Sequence, residues 1–258
     1  MNILKEIYGY REMIFTLVRK DLRGRYLGTA LGFLWTFVNP LLQLLVYNIV
    51  FSFVMPSGID KYYLFLFVAL IPWIFMSSCL TGGSTAIVGD SSLVTKIYFP
   101  REVLPIAYVT SCFVNMLLCF IVVFIIVFIS GIPVNFFVWL YLPLVMAVEY
   151  IIGLGVAFIS SAITVYFRDL QHILGIVAMA WQFLSPVLYS IDLVPEEARR
   201  VFMLNPMTPV ITAYRDILYS ARAPTMGTLT MAFCFGAVMI VFGFLLFGRL
   251  KRGFAEEL

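Results

Sequence analysis

The chain has 258 residues, of which 62% are apolar and only 12% charged, and its mean hydropathy is +1.01. A soluble domain averages roughly 45–50% apolar and about 25% charged residues, so this composition excludes one; a 17% share of Phe, Trp and Tyr excludes a disordered chain as well. What remains is an integral membrane protein. Lipid offers backbone groups no partner, so the chain is expected to be built of helical spans. The net charge of +3 comes without a basic patch interleaved with aromatics, so nucleic acid is not an implied partner.

Residues 1–30 carry Lys5, Arg11, Arg19, Lys20, Arg23 and Arg25, scattered along the segment and followed by no small-residue cleavage site. That pattern is not a secretory signal. Within it, Ile14, Val18, Leu22 and Tyr26 step by four, while Thr16, Arg19, Lys20 and Arg23 fall elsewhere. The spacing predicts an amphipathic helix lying along the membrane surface. Gly24, Gly28 and Gly32 then recur at every fourth position. Small residues so spaced suit either close helix packing or a hinge between the surface helix and the first span.

Six apolar segments follow, at 31–55, 63–81, 104–130, 143–166, 173–190 and 229–248, and the only charge in them is Glu149. A hydrocarbon core of about 30 Å needs roughly 20 helical residues, which each segment approaches or exceeds. Segment 173–190 is the shortest and contains Pro186. The expected fold is an all-α integral membrane domain over 1–258, with no internal repeat. Its parts are an interface helix in 1–30, spans 1–5 within 31–190, an exterior segment 191–228, a sixth span 229–248 and a tail 249–258. Six spans put both ends on one side, and that side holds 12 of the 17 Lys and Arg residues. The positive-inside rule assigns it to the cytoplasm.

The first span carries Asn39, Gln43 and Tyr47 at steps of four, with Thr36 and Asn48 nearby; the fifth carries Gln182, Ser185 and Tyr189 beside Trp181. Unpartnered amides are costly in hydrocarbon, so both stripes should face protein or a wet path. Such stripes suit a cavity for a polar, ring-bearing solute, with Trp35 and Phe51 as further lining, although ordinary interhelical hydrogen bonding would also account for them. Glu149 reads as a snorkelling or hydrogen-bonded acid rather than a proton relay.

Between spans 2 and 3, the segment SSLVTKIYFPREVLP at 91–105 sets the apolar knot Ile97-Tyr98-Phe99 among Lys96, Arg101 and Glu102. An apolar centre with a charged rim marks a docking surface. YFRDLQH at 166–172 is long enough only for a tight turn and holds the sole histidine, His172, a loop residue with no catalytic partner. The exterior segment has proline at 195, 206, 209 and 224. Its stretches 196–204 and 210–222 predict amphipathic helices too short to span, which read as re-entrant or interfacial. There, Arg199, Arg200 and Arg215 either meet an anionic group or are satisfied internally by Glu196, Glu197 and Asp216.

Cys79, Cys112, Cys119 and Cys234 all fall in apolar spans, against a disulfide framework or a zinc site. The chain has no G-x-x-x-x-G-K-[ST] and no G-x-G-x-x-G, and one histidine cannot supply a multi-histidine metal site. Features suited to moving a solute are present without an energy source, which implies an energising partner chain.

Four stretches now align in order. They are Gly28-Thr29-Ala30-Leu31-Gly32-Phe33-Leu34-Trp35 with Pro40, KIYFPREVLP at 96–105, YFRDLQHIL at 166–174 and NPMTPVITAYRDILY at 205–219. Together they resemble the permease subunits of type-2 ABC exporters for polysaccharides and polyol phosphates, which include O-antigen, capsule and wall teichoic acid exporters. The resemblance implies a channel-forming translocation subunit, not an enzyme, in the bacterial cytoplasmic membrane. It implies a homodimer with separate ATPase subunits that carry ATP and Mg, leaving this chain without cofactor or metal. The cargo would be an undecaprenyl-linked glycan. Coupling to the ATPase would fall on Arg19, Lys20, Asp21, Arg23, Lys96, Tyr98, Phe99, Arg101, Glu102, Arg168 and Asp169. An exterior gate would fall on Arg199, Arg200, Tyr214, Arg215 and Asp216. A type-2 ABC permease for a lipid or drug is the alternative; it shares six spans but does not require the aromatic stripes or the 205–219 stretch. A membrane-embedded transferase would need clustered acids or histidines, which are missing.

Overall fold

The computed structural model describes residues 3–25, 27–54 and 58–258. Tyr26, the last position of the surface-helix stripe, and Met55, the end of the first predicted span, lie outside them. Among the described residues all regular structure is helical: α1 (Ile3–Gly9), α2 (Arg11–Gly24), α3 (Trp35–Ile49), α4 (Tyr62–Ser84), α5 (Ser91–Lys96), α6 (Val103–Ser130), α7 (Phe136–Trp139), α8 (Leu142–Tyr166), α9 (Leu170–Phe183), α10 (Glu196–Met203), α11 (Met207–Leu218), α12 (Met226–Leu250) and α13 (Phe254–Glu257). A 3-10 turn leads into α3, and a π-helical turn, Val50–Val54, follows it, so Gly32–Val54 forms one continuous element.

Five stretches are long and apolar enough to cross a membrane: Gly32–Val54, Tyr62–Ser84, Val103–Ser130, Phe136–Tyr166 and Met226–Gly253. The predicted fifth span is shorter than expected. Its helix α9 has 14 residues, or about 21 Å at 1.5 Å per residue, less than a hydrocarbon core. It ends because Pro186 has no N–H to continue the ladder and disfavours helical backbone before it. The chain then runs non-helically through 184–190.

Helix α4 is the centre of the bundle. It is apolar all round, as expected of a helix with no solvent face, and Leu64, Leu66, Val68, Ala69, Leu70, Met76 and Cys79 are fully enclosed. Helices α8 and α12 meet backbone to backbone. A Cβ on Gly155 would lie 2.5 Å from the Met239 carbonyl, and one on Gly243 2.5 Å from the Gly155 carbonyl oxygen. Small residues are what allow such an approach in a membrane bundle.

Gly24, Gly28 and Gly32 behave differently. None has a neighbour that a Cβ would meet, while Gly28 (φ +79°) and Gly32 (φ +50°) take left-handed backbone. Of the two readings of this repeat, the hinge holds and packing within the chain does not. The hinge lets α2 fold back along α6. Arg25 bridges Asp21 at 2.8 Å and donates to Ser111 Oγ at 3.1 Å, and Ser111 donates to the same Asp21 carboxylate.

Beside the main core lies a second cluster, in which Ile87, Val94, Phe99, Val103, Phe158, Phe247 and Phe254 join the α4–α5 connection, α5, α6, α8, α12 and the tail. Met13, Ile14 and Leu17 of α2 pack against it. The positions that step along α2 are therefore partly protein-facing.

Candidate functional site

Three sets of residues were expected to carry function. The first is the polar-aromatic face. The stripes on α3 and α9 meet: Gln182 Nε2 donates to Tyr47 Oη at 3.3 Å. Next to Gln182, Trp181 Nε1 donates to Asn205 Oδ1 at 2.8 Å, Asn205 Nδ2 donates to Ser185 Oγ at 2.8 Å, and Ser185 donates back to the Trp181 carbonyl at 2.7 Å. Trp181 also stands edge-on to Trp73, with centroids 5.7 Å apart. Tyr189 donates to the Phe183 carbonyl at 2.7 Å and Phe51 packs against Tyr62. Ser185 is a correction: it is fully buried, because its hydroxyl closes the Trp181–Asn205 knot, and it lines no open surface. By contrast, Asn39 and Gln43 are exposed on the outer flank of α3, and Trp35 is half-buried. Asn205 was not singled out from sequence; an Asn just before the proline that precedes α11 was its only signal.

The second set is the segment 191–228, expected on the exterior. Its helices are α10 and α11 rather than 196–204 and 210–222, and α11 does not lie at the surface. Met207–Ile211 and Ala213–Leu218 are all buried, so the helix is inserted into the bundle against α4, α8 and α12. Tyr214, Arg215 and Asp216, expected at an exit, are enclosed instead. Tyr214 donates to Glu149 Oε2 at 2.6 Å, which gives the lone charge within the spans its partner. Arg215 donates to the carbonyls of Pro186 (2.5 Å), Val187 (2.7 Å), Tyr189 (3.1 Å) and Phe65 (3.3 Å), and its guanidinium lies 3.5 Å from the centre of the Phe65 ring. Asp216 pairs with Arg222 at 2.6 Å, not with Arg215. Arg199 donates to the Asp192 and Val194 carbonyls at 3.3 and 3.4 Å, and Arg200 is exposed. Among the described residues Glu196 and Glu197 make no ion pair with either.

The third set is the surface around α5. The knot Ile97-Tyr98-Phe99 divides. Ile97 and Tyr98 are exposed, Tyr98 by 89%, while Phe99 is 5% exposed and packs in the second core cluster. Glu102 is fully buried and accepts from Lys251 Nζ at 2.5 Å; Arg101 donates to the Lys251 carbonyl and lies over the Phe254 ring. The expectation that Phe99 and Glu102 present themselves to a partner is therefore corrected, because the tail after α12 occupies them; Arg101 is held by the tail but stays half-exposed. Lys96 remains exposed, and a groove of about 400 Å³ opens beside Tyr98, bordered by Glu6, Arg101 and Arg252. On α2, Lys20 pairs with Asp90 at 2.7 Å and Asp21 with Arg25. Arg19 and Arg23 are exposed and border a groove against α6. Arg168 donates to the Glu257 carbonyl at 3.2 Å, and Asp169, exposed, precedes α9.

Among the described residues no group of His, Cys, Asp and Glu is placed to hold a metal ion. Cys79, Cys112 and Cys119 are buried and unpaired, and Cys234 is exposed. His172 lies exposed in the first turn of α9.

A bundle of membrane-length helices with a helix hinged back along it, a polar-aromatic seam inside it and an exposed aromatic beside a charged loop defines an all-α integral membrane protein. Residues 12–219 match the ABC-2 type transporter family, and the chain belongs to it. It is 35% identical to an O-antigen export system permease protein, RfbA, of Myxococcus xanthus, over 100% of both chains. It is 30% identical to the protein of the same name from Klebsiella pneumoniae, over 99% of this chain and 98% of the relative. With the polysialic acid transport protein KpsM of Escherichia coli it shares 23% identity over 83% of this chain and 85% of that protein.

Proposed function

We propose that this chain is the channel-forming subunit of an exporter that moves a bacterial surface polysaccharide, of the O-antigen or capsule class, across the inner membrane on a lipid carrier. The observation that carries this reading is the row Asn39–Gln43, open on α3, continuing into the Tyr47–Gln182 pair. Aromatic faces pack on the C–H faces of sugar rings and amides pair with their hydroxyls. A sliding polymer needs many such contacts, each weak. An open amide row on one flank of α3 would also be covered if a second copy completed the path, which supports a homodimer. Both termini then lie in the cytoplasm, on the side richer in Lys and Arg.

Energy would come from a separate ATPase that holds ATP and Mg. Lys96, Ile97 and Tyr98 are the exposed group suited to seat it, and the groove beside Tyr98 gives that partner an edge to enter. Depletion of the protein in its host tests the reading. Surface polysaccharide should disappear while carrier-linked glycan accumulates inside the cell. Unchanged surface polysaccharide would refute it.

A further inference from the structure

The basic residues of α2 and of the turn that ends it fall into two groups. Arg11, Lys20 and Arg25 each face a carboxylate, those of Glu12, Asp90 and Asp21. Arg19 and Arg23 face none among the described residues; Arg19 lies over the Phe15 ring, 5.3 Å from its centre. Both arginines stand one turn apart on the rim of a groove of about 670 Å³ between α2, the Gly28–Gly32 hinge and α6. Its walls include Phe15, Leu22, Phe33 and Leu118, and among the described residues no amide, hydroxyl or carboxylate side chain lines it.

We propose that this groove binds an anionic glycerophospholipid, its phosphate between Arg19 and Arg23 and its acyl chain along the apolar wall. Two like charges one helical turn apart repel unless an anion lies between them. An apolar trough ending in a cationic rim is complementary to a molecule that is apolar at one end and anionic at the other. A basic pocket between membrane helices, on the side where anionic lipids gather, recognises such headgroups. The same lining argues against the carrier-linked cargo as occupant. A glycan headgroup carries hydroxyls, and the described residues of the groove offer them no amide, hydroxyl or carboxylate side chain. A lipid held here would bridge α2 and α6 beside the hinge and so fix the angle at which the surface helix leaves the first span. The proposal rests on α2 lying at the membrane surface and not on the identity of the cargo.

Native mass spectrometry of the purified full-length protein, released from bilayers of phosphatidylglycerol and phosphatidylcholine, tests it. Wild type should retain phosphatidylglycerol over phosphatidylcholine by about tenfold or more, as two basic residues at an anionic surface require. Arg19→Gln with Arg23→Gln should abolish that preference. Arg19→Lys with Arg23→Lys should keep most of it, and Leu118→Trp, which fills the trough, should reduce retention of both lipids. Both arginines are exposed, and circular dichroism verifies that the variants stay folded. Undiminished phosphatidylglycerol retention in the double glutamine variant, or in Leu118→Trp, would overturn the proposal.

Discussion

Arg215→Leu isolates the contact that holds the inserted helix α11 to the unwound end of α9. The side chain is enclosed, and three of its four carbonyl partners, those of Pro186, Val187 and Tyr189, belong to a segment with no helical ladder of its own. Leucine fills similar volume but donates nothing, so those acceptors lose their partner. Each buried acceptor left unsatisfied costs about 1–3 kcal/mol, or about 3–9 kcal/mol for three. Relief from burying a guanidinium offsets several kcal/mol of this, which leaves a net loss of about 3 kcal/mol. For a domain of this size that corresponds to a fall in Tm of about 6–12 °C. The loss should be local first. Leu188 is buried, and its carbonyl accepts from Tyr62 Oη at 2.7 Å. A cysteine at 188 should resist a polar thiol reagent in otherwise native protein and react in the Arg215→Leu background. Arg215→Lys keeps the charge but not the planar fork, and should fall between. An unchanged Tm together with unchanged reactivity at 188 would refute the idea that Arg215 clamps this segment.

The parts of the fold legible in the sequence are those with a short-range signature. A helix apolar on every side reads directly as the enclosed α4, and residues at steps of four read as the stripes that meet at Tyr47 and Gln182. What was not legible depends on partners far along the chain or on the backbone. Gly155 and Gly243 look like ordinary span glycines until α8 and α12 are laid together. Tyr98 and Phe99 are adjacent aromatics in one loop; the tail's Phe254 and the second cluster decide that only Phe99 turns inward. Arg215 was expected to find an acid or an outside anion, but its partners are carbonyls, which carry no residue-type signature. The early end of α9 had a single hint, Pro186, set in a stretch whose apolarity reads the same in a helix or unwound. The hinge was legible as one of two alternatives, because glycine spacing is the same for a bend as for a packed seam.

Gly243→Val should push α12 away from α8, since its Cβ would sit 2.5 Å from the Gly155 carbonyl; a loss of about 1–3 kcal/mol or more is expected from overpacking, and an unaltered Tm would count against the backbone contact. Phe99→Ala should cost about 3–5 kcal/mol as a buried aromatic truncation, whereas Tyr98→Ala should leave Tm unchanged and reduce co-purification of the ATPase; equal effects of the two on Tm would contradict the division of the knot. The tail gives the last test. Lys251 Nζ meets Glu102 Oε1, while Glu102 Oε2 is buried without a partner. Lys251→Met therefore leaves a carboxylate enclosed with no cation, a loss of about 3–5 kcal/mol. Glu102→Gln with Lys251→Met removes both charges and should regain most of that stability, because the desolvation of the pair disappears with it. The tail follows directly from α12, and its Lys251 carbonyl also receives Arg101, so this pair joins the last span to the loop that presents Tyr98. If the pair transmits movement between them, the double variant should be stable yet slow in export, with ATP hydrolysis retained. A double variant as unstable as Lys251→Met alone would show that the cost is not that of an unpaired charge. A stable double variant with full export would leave the pair as a fastening and nothing more.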